Sequence, residues 1–154
     1  MSFFFQKSVL TKVTAIDISM VKLLYARNNY PFFNFLQGDI HLLPFKNHIF
    51  DYIIANEVLE HVEDPFLAMK EFRRVCKKNS LVILSVPYEP FFSIGNLLRG
   101  KYMKNKGRTP SHKHFWKKKE FERFINQFVT IKQAYSLSVF PWLLYVGQLK
   151  NTEN

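Results

Sequence analysis

Three polar side chains close apolar runs in the first half of the chain. Asp17 ends KVTAIDI (Lys12–Ile18), Asp39 follows Gly38, and Asn56 follows the run that opens at Phe50. A carboxylate at a strand tip can accept two hydrogen bonds from the vicinal hydroxyls of a ribose, as doubly wound folds hold nucleosides. For Asp17 the alternative is a strand-end residue that caps the following helix. Asp39 can accept from an exocyclic amine such as that of adenine, with Leu42 and Leu43 as apolar cover. Its alternative is an ordinary Gly-Asp turn. His61 has the chemistry of a general base but needs a partner and reach to a substrate; a packed histidine at the start of a helix is the competing reading. Glu57 and Glu60 either cap the following turn or line a crevice. Cys76 reads as structural, and one cysteine with scattered histidines gives no metal-ligand spacing, so no metal site is expected. There is no serine elbow, P-loop or zinc signature.

These residues need strands to carry them. FDYIIANEVLEH (Phe50–His61) is the centre of the arrangement. The strand Ile49–Ala55 is apolar at nearly every position, as in a parallel strand covered on both faces, and Asn56-Glu57 ends it. Ligand crevices in open α/β sheets lie at the carboxyl ends of strands. Strands are expected at Lys12–Ile18, Phe32–Leu36 and Ser80–Val86, with Lys77-Lys78-Asn79 as a turn before the last. Ser19 caps a helix over Met20–Asn28 with Val21, Leu24 and Tyr25 on one face. Asp64-Pro65 opens a second helix running to Cys76. There Phe66, Met69, Phe72 and Val75 form the buried stripe, and Lys70, Arg73 and Arg74 face out. Residues 3–10 read as the end of a helix. Tyr88–Trp116 has little regular pattern beyond a short helix at Phe91–Leu98, and loops of this length usually bind or cover something. A helix at Trp116–Gln127 with Phe121, Phe124 and Ile125 inward precedes two strands, Val129–Leu137 and Phe140–Leu149. Their tight connection makes the pair antiparallel. The alternation of strands and helices argues for an α/β fold.

The 154 residues suffice for one domain with a core, and 47% are apolar, which excludes a disordered chain. A single cysteine rules out an internal disulfide and suits a reducing, cytoplasmic setting. No apolar run approaches the roughly 20 residues of a transmembrane helix. The net charge of +10 is uneven: Arg99–Arg123 holds ten Lys or Arg against Glu120 and Glu122. Such a patch attracts nucleic acid, an anionic membrane surface or an anionic small substrate; a solvated surface is the plainer reading.

Taken together, VTAIDIS (Val13–Ser19), GDIHLLPF (Gly38–Phe45), FDYIIANEVLEHVEDP (Phe50–Pro65) and LVILSVP (Leu81–Pro87) resemble a class I S-adenosylmethionine-dependent methyltransferase of the type-11 group. The resemblance implies a Rossmann-like, mostly parallel sheet with an antiparallel closing pair. It implies S-adenosylmethionine as cofactor, with Asp17 and Ile18 at the ribose, Asp39 and the Ile40 backbone at the adenine, and Asn56 near the methionine part. Tyr88, Glu89, His112 and His114 are candidates to line the pocket of an unidentified methyl acceptor. No catalytic residue is assigned.

The family begins with a strand and a loop of the form E/D-x-G-x-G, and nothing before Val13 contains a glycine. The expectation is a single, N-terminally truncated domain over residues 1–150 with a tail at 151–154, lacking the central strand between Lys12–Ile18 and Ile49–Ala55. Such a chain is expected to bind the cofactor poorly or not at all. The alternatives are a non-catalytic remnant or subunit that docks on a partner, and a nucleic-acid-binding module using Arg99–Arg123.

Overall fold

The computed structural model describes residues 2–6, 12–137 and 141–150. In chain order the elements are β1 (Ser2–Gln6), β2 (Lys12–Asp17), α1 (Met20–Asn29), β3 (Asn34–Gln37), β4 (Phe50–Asn56), α2 (Pro65–Val75), β5 (Cys76–Pro87), α3 (Phe91–Leu98), α4 (Lys118–Ile125), β6 (Val129–Leu137) and β7 (Trp142–Leu149). The strands form one sheet in the order β3-β2-β1-β4-β5-β7-β6. The parallel pairs are β2 with β3 and β4 with β5. β7 runs against both β5 and β6, which gives the expected antiparallel closing pair. Five strands therefore share one direction, and β1 and β7 oppose it.

The centre of the sheet departs from expectation. Ser2–Gln6 is a strand rather than the end of a helix, and residues 7–11 lie outside the described residues. Three consecutive phenylalanines favour extended backbone. β1 enters between β2 and β4, pairing Phe4 with Thr14 on one side and with Ile53 on the other. It is antiparallel to both. The backbone donors and acceptors that two apolar strands would otherwise leave unpaired are thus satisfied. Ser2, at the start of β1, stands opposite Ile16 and Ala55. β1 therefore starts at the crevice edge and runs away from it.

The helices begin where their caps dictate. The Ser19 side chain accepts from the Lys22 N–H, and Asp64 Oδ1 accepts from the N–H groups of Phe66 and Leu67 at 2.9 and 3.0 Å, with Pro65 in the first turn. α2 buries Ala68, Met69, Phe72 and Val75 against Ile53, Val82 and Leu84 of the sheet, and Phe121 and Ile125 of α4 join the same core. Phe66 lies outside that stripe, 40% exposed, with the Lys70 ammonium over its ring. α1 turns the other way from expectation. Leu23 and Ala26 face the sheet, while Val21, Leu24 and Tyr25 are 78%, 54% and 75% exposed. Both sides of α1 are apolar, so its pattern alone does not select the buried one. Lys77–Asn79 belongs to β5 rather than to a turn. In place of a turn the strand carries the left-handed Asn79, beside a register shift between Phe50 and Tyr52.

Candidate active site

The carboxyl ends of β2, β3 and β4 open onto a cleft of about 730 Å³. Asp17, Ile18, Asp39 and Ile40 line it together with Glu57 and His61. The sheet explains the convergence: parallel β2 and β3 end side by side, with Asp17 in register with Gln37. Asp17 Oδ1 accepts from the Ser19 N–H at 2.9 Å, so the turn-capping and cleft-lining readings of this residue hold together.

Asp39 is tied into its own turn. Its Oδ1 accepts from the His41 N–H at 2.9 Å and meets His41 Nδ1 at 2.6 Å. His41 Nε2 accepts from the Asp64 N–H at 3.3 Å, which leaves the ring proton on Nδ1 to donate to Asp39. These bonds, the His41 amide foremost, hold the Asp39 carboxyl below its usual range. An ionised acceptor thus stands at the rim.

A clamp fixes the loop that carries Asp39 and Ile40. Arg74 donates to the carbonyls of Leu43 and Phe45 and to Asn47 Oδ1, each at 2.8 Å. It also forms a two-pronged pair with Glu71 at 2.6 and 2.7 Å. Glu71 Oε2 accepts in turn from the Leu43 N–H. The Arg74 fork therefore reaches back to the loop instead of pointing outward, and it holds the Glu71 carboxyl low.

The tip of β4 is conformationally unusual. Asn56 Oδ1 accepts from the Ser85 hydroxyl at 2.6 Å, which locks it to β5, and the residues lining the cleft here are Glu57 and Val58. Glu57 adopts φ 52, the left-handed region that non-glycine residues seldom occupy. Glu60 follows, wholly buried, and neither carboxylate oxygen finds a partner among the described residues. Burial, with the Glu57 charge nearby, pushes its carboxyl up to about 8.

The segment after α3 folds across this tip. The N–H groups of Lys113 and His114 donate to the Glu60 carbonyl, at 2.7 and 3.1 Å. His114 Nε2 lies 3.0 Å from the Val62 carbonyl, His61 Nδ1 lies 3.0 Å from the Ser111 carbonyl, and Lys113 pairs with Glu63. Gly107 shapes the approach. Its φ is +77, and a Cβ there would stand 2.0 Å from the Ser93 carbonyl oxygen. The irregular stretch is thus a cover, with Ser111 and Lys113 on the cleft wall.

The four acceptor-pocket candidates lie off the large cleft. Glu89 is buried, with Oε2 accepting from the Ser93 N–H. Tyr88 packs on Phe91. His114 stacks on Trp116. None of the four lines the large cleft. His112 lies against the His61 and Phe92 rings and borders a second cavity of about 370 Å³ with Lys104, Lys106 and Arg108 of the basic segment. No helix among the described residues is long and apolar enough to cross a membrane.

Comparison with known proteins agrees with this architecture. Residues 2–84 match the family model described as a methyltransferase domain. Demethylmenaquinone methyltransferase of Chlorobaculum tepidum is 34% identical over 94 residues, covering 61% of this chain and 39% of that protein. Malonyl-[acyl-carrier protein] O-methyltransferase of Erwinia pyrifoliae is 38% identical over 73 residues, covering 47% of this chain and 28% of that protein. The matched part thus spans well under half of these relatives. Among solved structures, the Haloferax volcanii complex of the Trm112 methyltransferase activator with a methyltransferase matches with a TM-score of 0.71 at 18% identity, over 90% of this chain and 72% of that one. A methyltransferase from Aquifex aeolicus matches at 0.68 and 14%, over 90% and 69%. At such identities the structures establish the fold. The chain belongs to the methyltransferase-domain family, whose cofactor is S-adenosylmethionine.

Proposed function

We propose that the cleft holds the nucleoside half of S-adenosylmethionine and that the chain is the core of an enzyme methylating a small-molecule acceptor. The observation that carries this reading is the convergence of Asp17 and Asp39 on one cleft, with Ile18 and Ile40 beside them. Asp17 accepts from the ribose hydroxyls and Asp39 from the adenine amine, while the Ile40 backbone borders the base. Asn56, locked to Ser85, keeps the tip of β4 in place at the methionine end. Of the two relatives named above, the demethylmenaquinone methyltransferase favours a small-molecule acceptor, while the other is named for a malonyl group borne on acyl-carrier protein.

The bound cofactor supplies an electrophilic methyl on sulfonium, so the protein's task is mainly to hold an acceptor in line. The cover segment that carries Ser111 and Lys113 closes the acceptor side and excludes water.

The methionine end is the weak half. The only described glycine on the cleft is Gly38, and β1 runs away from the crevice where a glycine-rich turn would be needed. Calorimetry with S-adenosylmethionine and with adenosine tests this directly. The expected result is weak binding of both with similar affinity. Low-micromolar binding of S-adenosylmethionine that adenosine does not approach would overturn the assignment of affinity to the nucleoside half. Absence of heat with either ligand would overturn the cleft itself.

A further inference from the structure

Glu60 is a wholly buried carboxyl whose two oxygens have no partner among the described residues. A lone buried carboxylate is costly unless a cation or several donors meet it. The groups nearest in chemistry are two imidazoles. One ligand atom from each of Glu60, His61 and His112 lies within 4.8 Å of the other two. The His61 and His112 rings meet edge to face at 4.8 Å between centroids.

His61 is oriented as a ligand would be. The Ser111 carbonyl can only accept, so the proton of a neutral imidazole sits on Nδ1 and Nε2 keeps its lone pair. A carbonyl behind the coordinating ring is the usual outer support of a metal-bound histidine. His112 is held by the stacked Phe92 ring and by its own N–H, which donates to the Thr109 carbonyl. The cover segment is pinned to the Glu60 carbonyl by two amides, so the third ligand is brought to the first two by backbone bonds.

We propose that Glu60, His61 and His112 form a binding site for a divalent first-row transition cation of the zinc or cobalt type. Two nitrogens and one carboxylate oxygen suit these ions better than calcium or magnesium, which prefer all-oxygen shells. Ligand bonds of about 2.1 Å in a tetrahedral arrangement put ligand atoms about 3.4 Å apart. Closing the triad from within 4.8 Å brings the ligand atoms together by up to about 1.4 Å. Three protein ligands leave at least one position for a further oxygen. His61 also lines the large cleft, so the site borders it. The site is independent of the methyl-transfer reading, since the metal alone suffices to fill it.

The test is titration of the metal-free full chain with Co²⁺, read by its visible d–d bands, and with Zn²⁺ by calorimetry. One equivalent is expected to bind. Glu60→Gln is expected to weaken binding at least tenfold while keeping the circular dichroism spectrum, because it removes the carboxylate ligand and not volume. His112→Asn is the second variant, and its binding loss is scored only against an unchanged melting curve. His48→Asn, remote from the triad, is expected to bind like the unsubstituted chain. Failure of the unsubstituted chain to bind either ion, or undiminished binding by both triad variants, would overturn the proposal. Adenosine titration of the same samples shows separately whether the nucleoside cleft stands.

Discussion

Arg74 and Leu43, 31 residues apart in sequence, are joined by a 2.8 Å hydrogen bond from the guanidinium to the carbonyl. That bond anchors the loop bearing Asp39 to the last turn of α2. Arg74→Ala would strip the Leu43 and Phe45 carbonyls and the Glu71 carboxylate of their donor together. The expected cost is about 2–3 kcal/mol in urea unfolding. Arg74→Lys should recover little, because a point charge cannot replace the fork. Lys70→Ala, on the solvent side of the same helix, should change stability by less than about 0.5 kcal/mol.

The Glu71 partner makes the clamp sensitive to acid. Its carboxyl is held below the ordinary 4.5 by Arg74 and by the Leu43 amide. A depressed folded-state value adds stability that is complete above the unfolded value and is lost as pH falls through the folded one. Stability curves of the unsubstituted chain and Glu71→Gln are therefore expected to differ most at pH 6, with the gap shrinking as the pH falls below 4.5. A constant gap down to pH 3 would contradict the assignment.

Asp17→Ala removes the acceptor proposed for the ribose hydroxyls. Loss of hydrogen bonds to a charged group corresponds to a drop of about tenfold or more in adenosine affinity. 2′-Deoxyadenosine should bind the unsubstituted chain less well than adenosine and should bind Asp17→Ala no worse. Equal binding of the two nucleosides by the unsubstituted chain would remove Asp17 from the ribose.

Glu57 occupies left-handed backbone at the cleft edge. Glu57→Gly should relieve that conformation and raise stability by about 0.5–1 kcal/mol. A loss of stability in equilibrium unfolding would mean that the Glu57 side chain contributes more to the fold than its backbone costs.

Cys76 is buried, and its thiol is pushed up to about 12, chiefly by burial. Only the thiolate reacts with alkylating agents. Iodoacetamide labelling at pH 8 is expected to be negligible in the folded chain and complete in urea. Rapid labelling of the folded protein would place the end of α2 nearer solvent than described.

Much of the frame could be read from residue order. Ser19 and Asp64-Pro65 fix their helix starts by local chemistry, and the apolar runs at Val13, Ile53 and Val82 can be satisfied only inside a covered sheet. Asp17 was legible because it closes such a run, and Asp39 because it follows Gly38 just past a second strand. β1 was not, since nothing local in Phe3-Phe4-Phe5 says which strands it joins or in which direction. The buried side of α1 was hidden because its apolar residues fall on more than one face of the helix. Arg74 reads as outward-facing from helical spacing alone, because the loop carbonyls and Asn47 that it meets lie 27 to 31 residues away in sequence. Glu60, His61 and His112 carry no ligand spacing along the chain, because the segment after α3 must fold back before they meet.

The direction of the first strand also decides where additions to this molecule go. Ser2 is paired one step short of Asp17 and Asn56, so whatever is joined ahead of it leaves the sheet at the edge of the cleft proposed for the nucleoside. An affinity tag or fusion placed there would crowd the cleft and compete with small ligands. The same tag placed after Leu149, at the end of β7, does not start beside Asp17 and Asn56, and is the arrangement of choice for binding measurements.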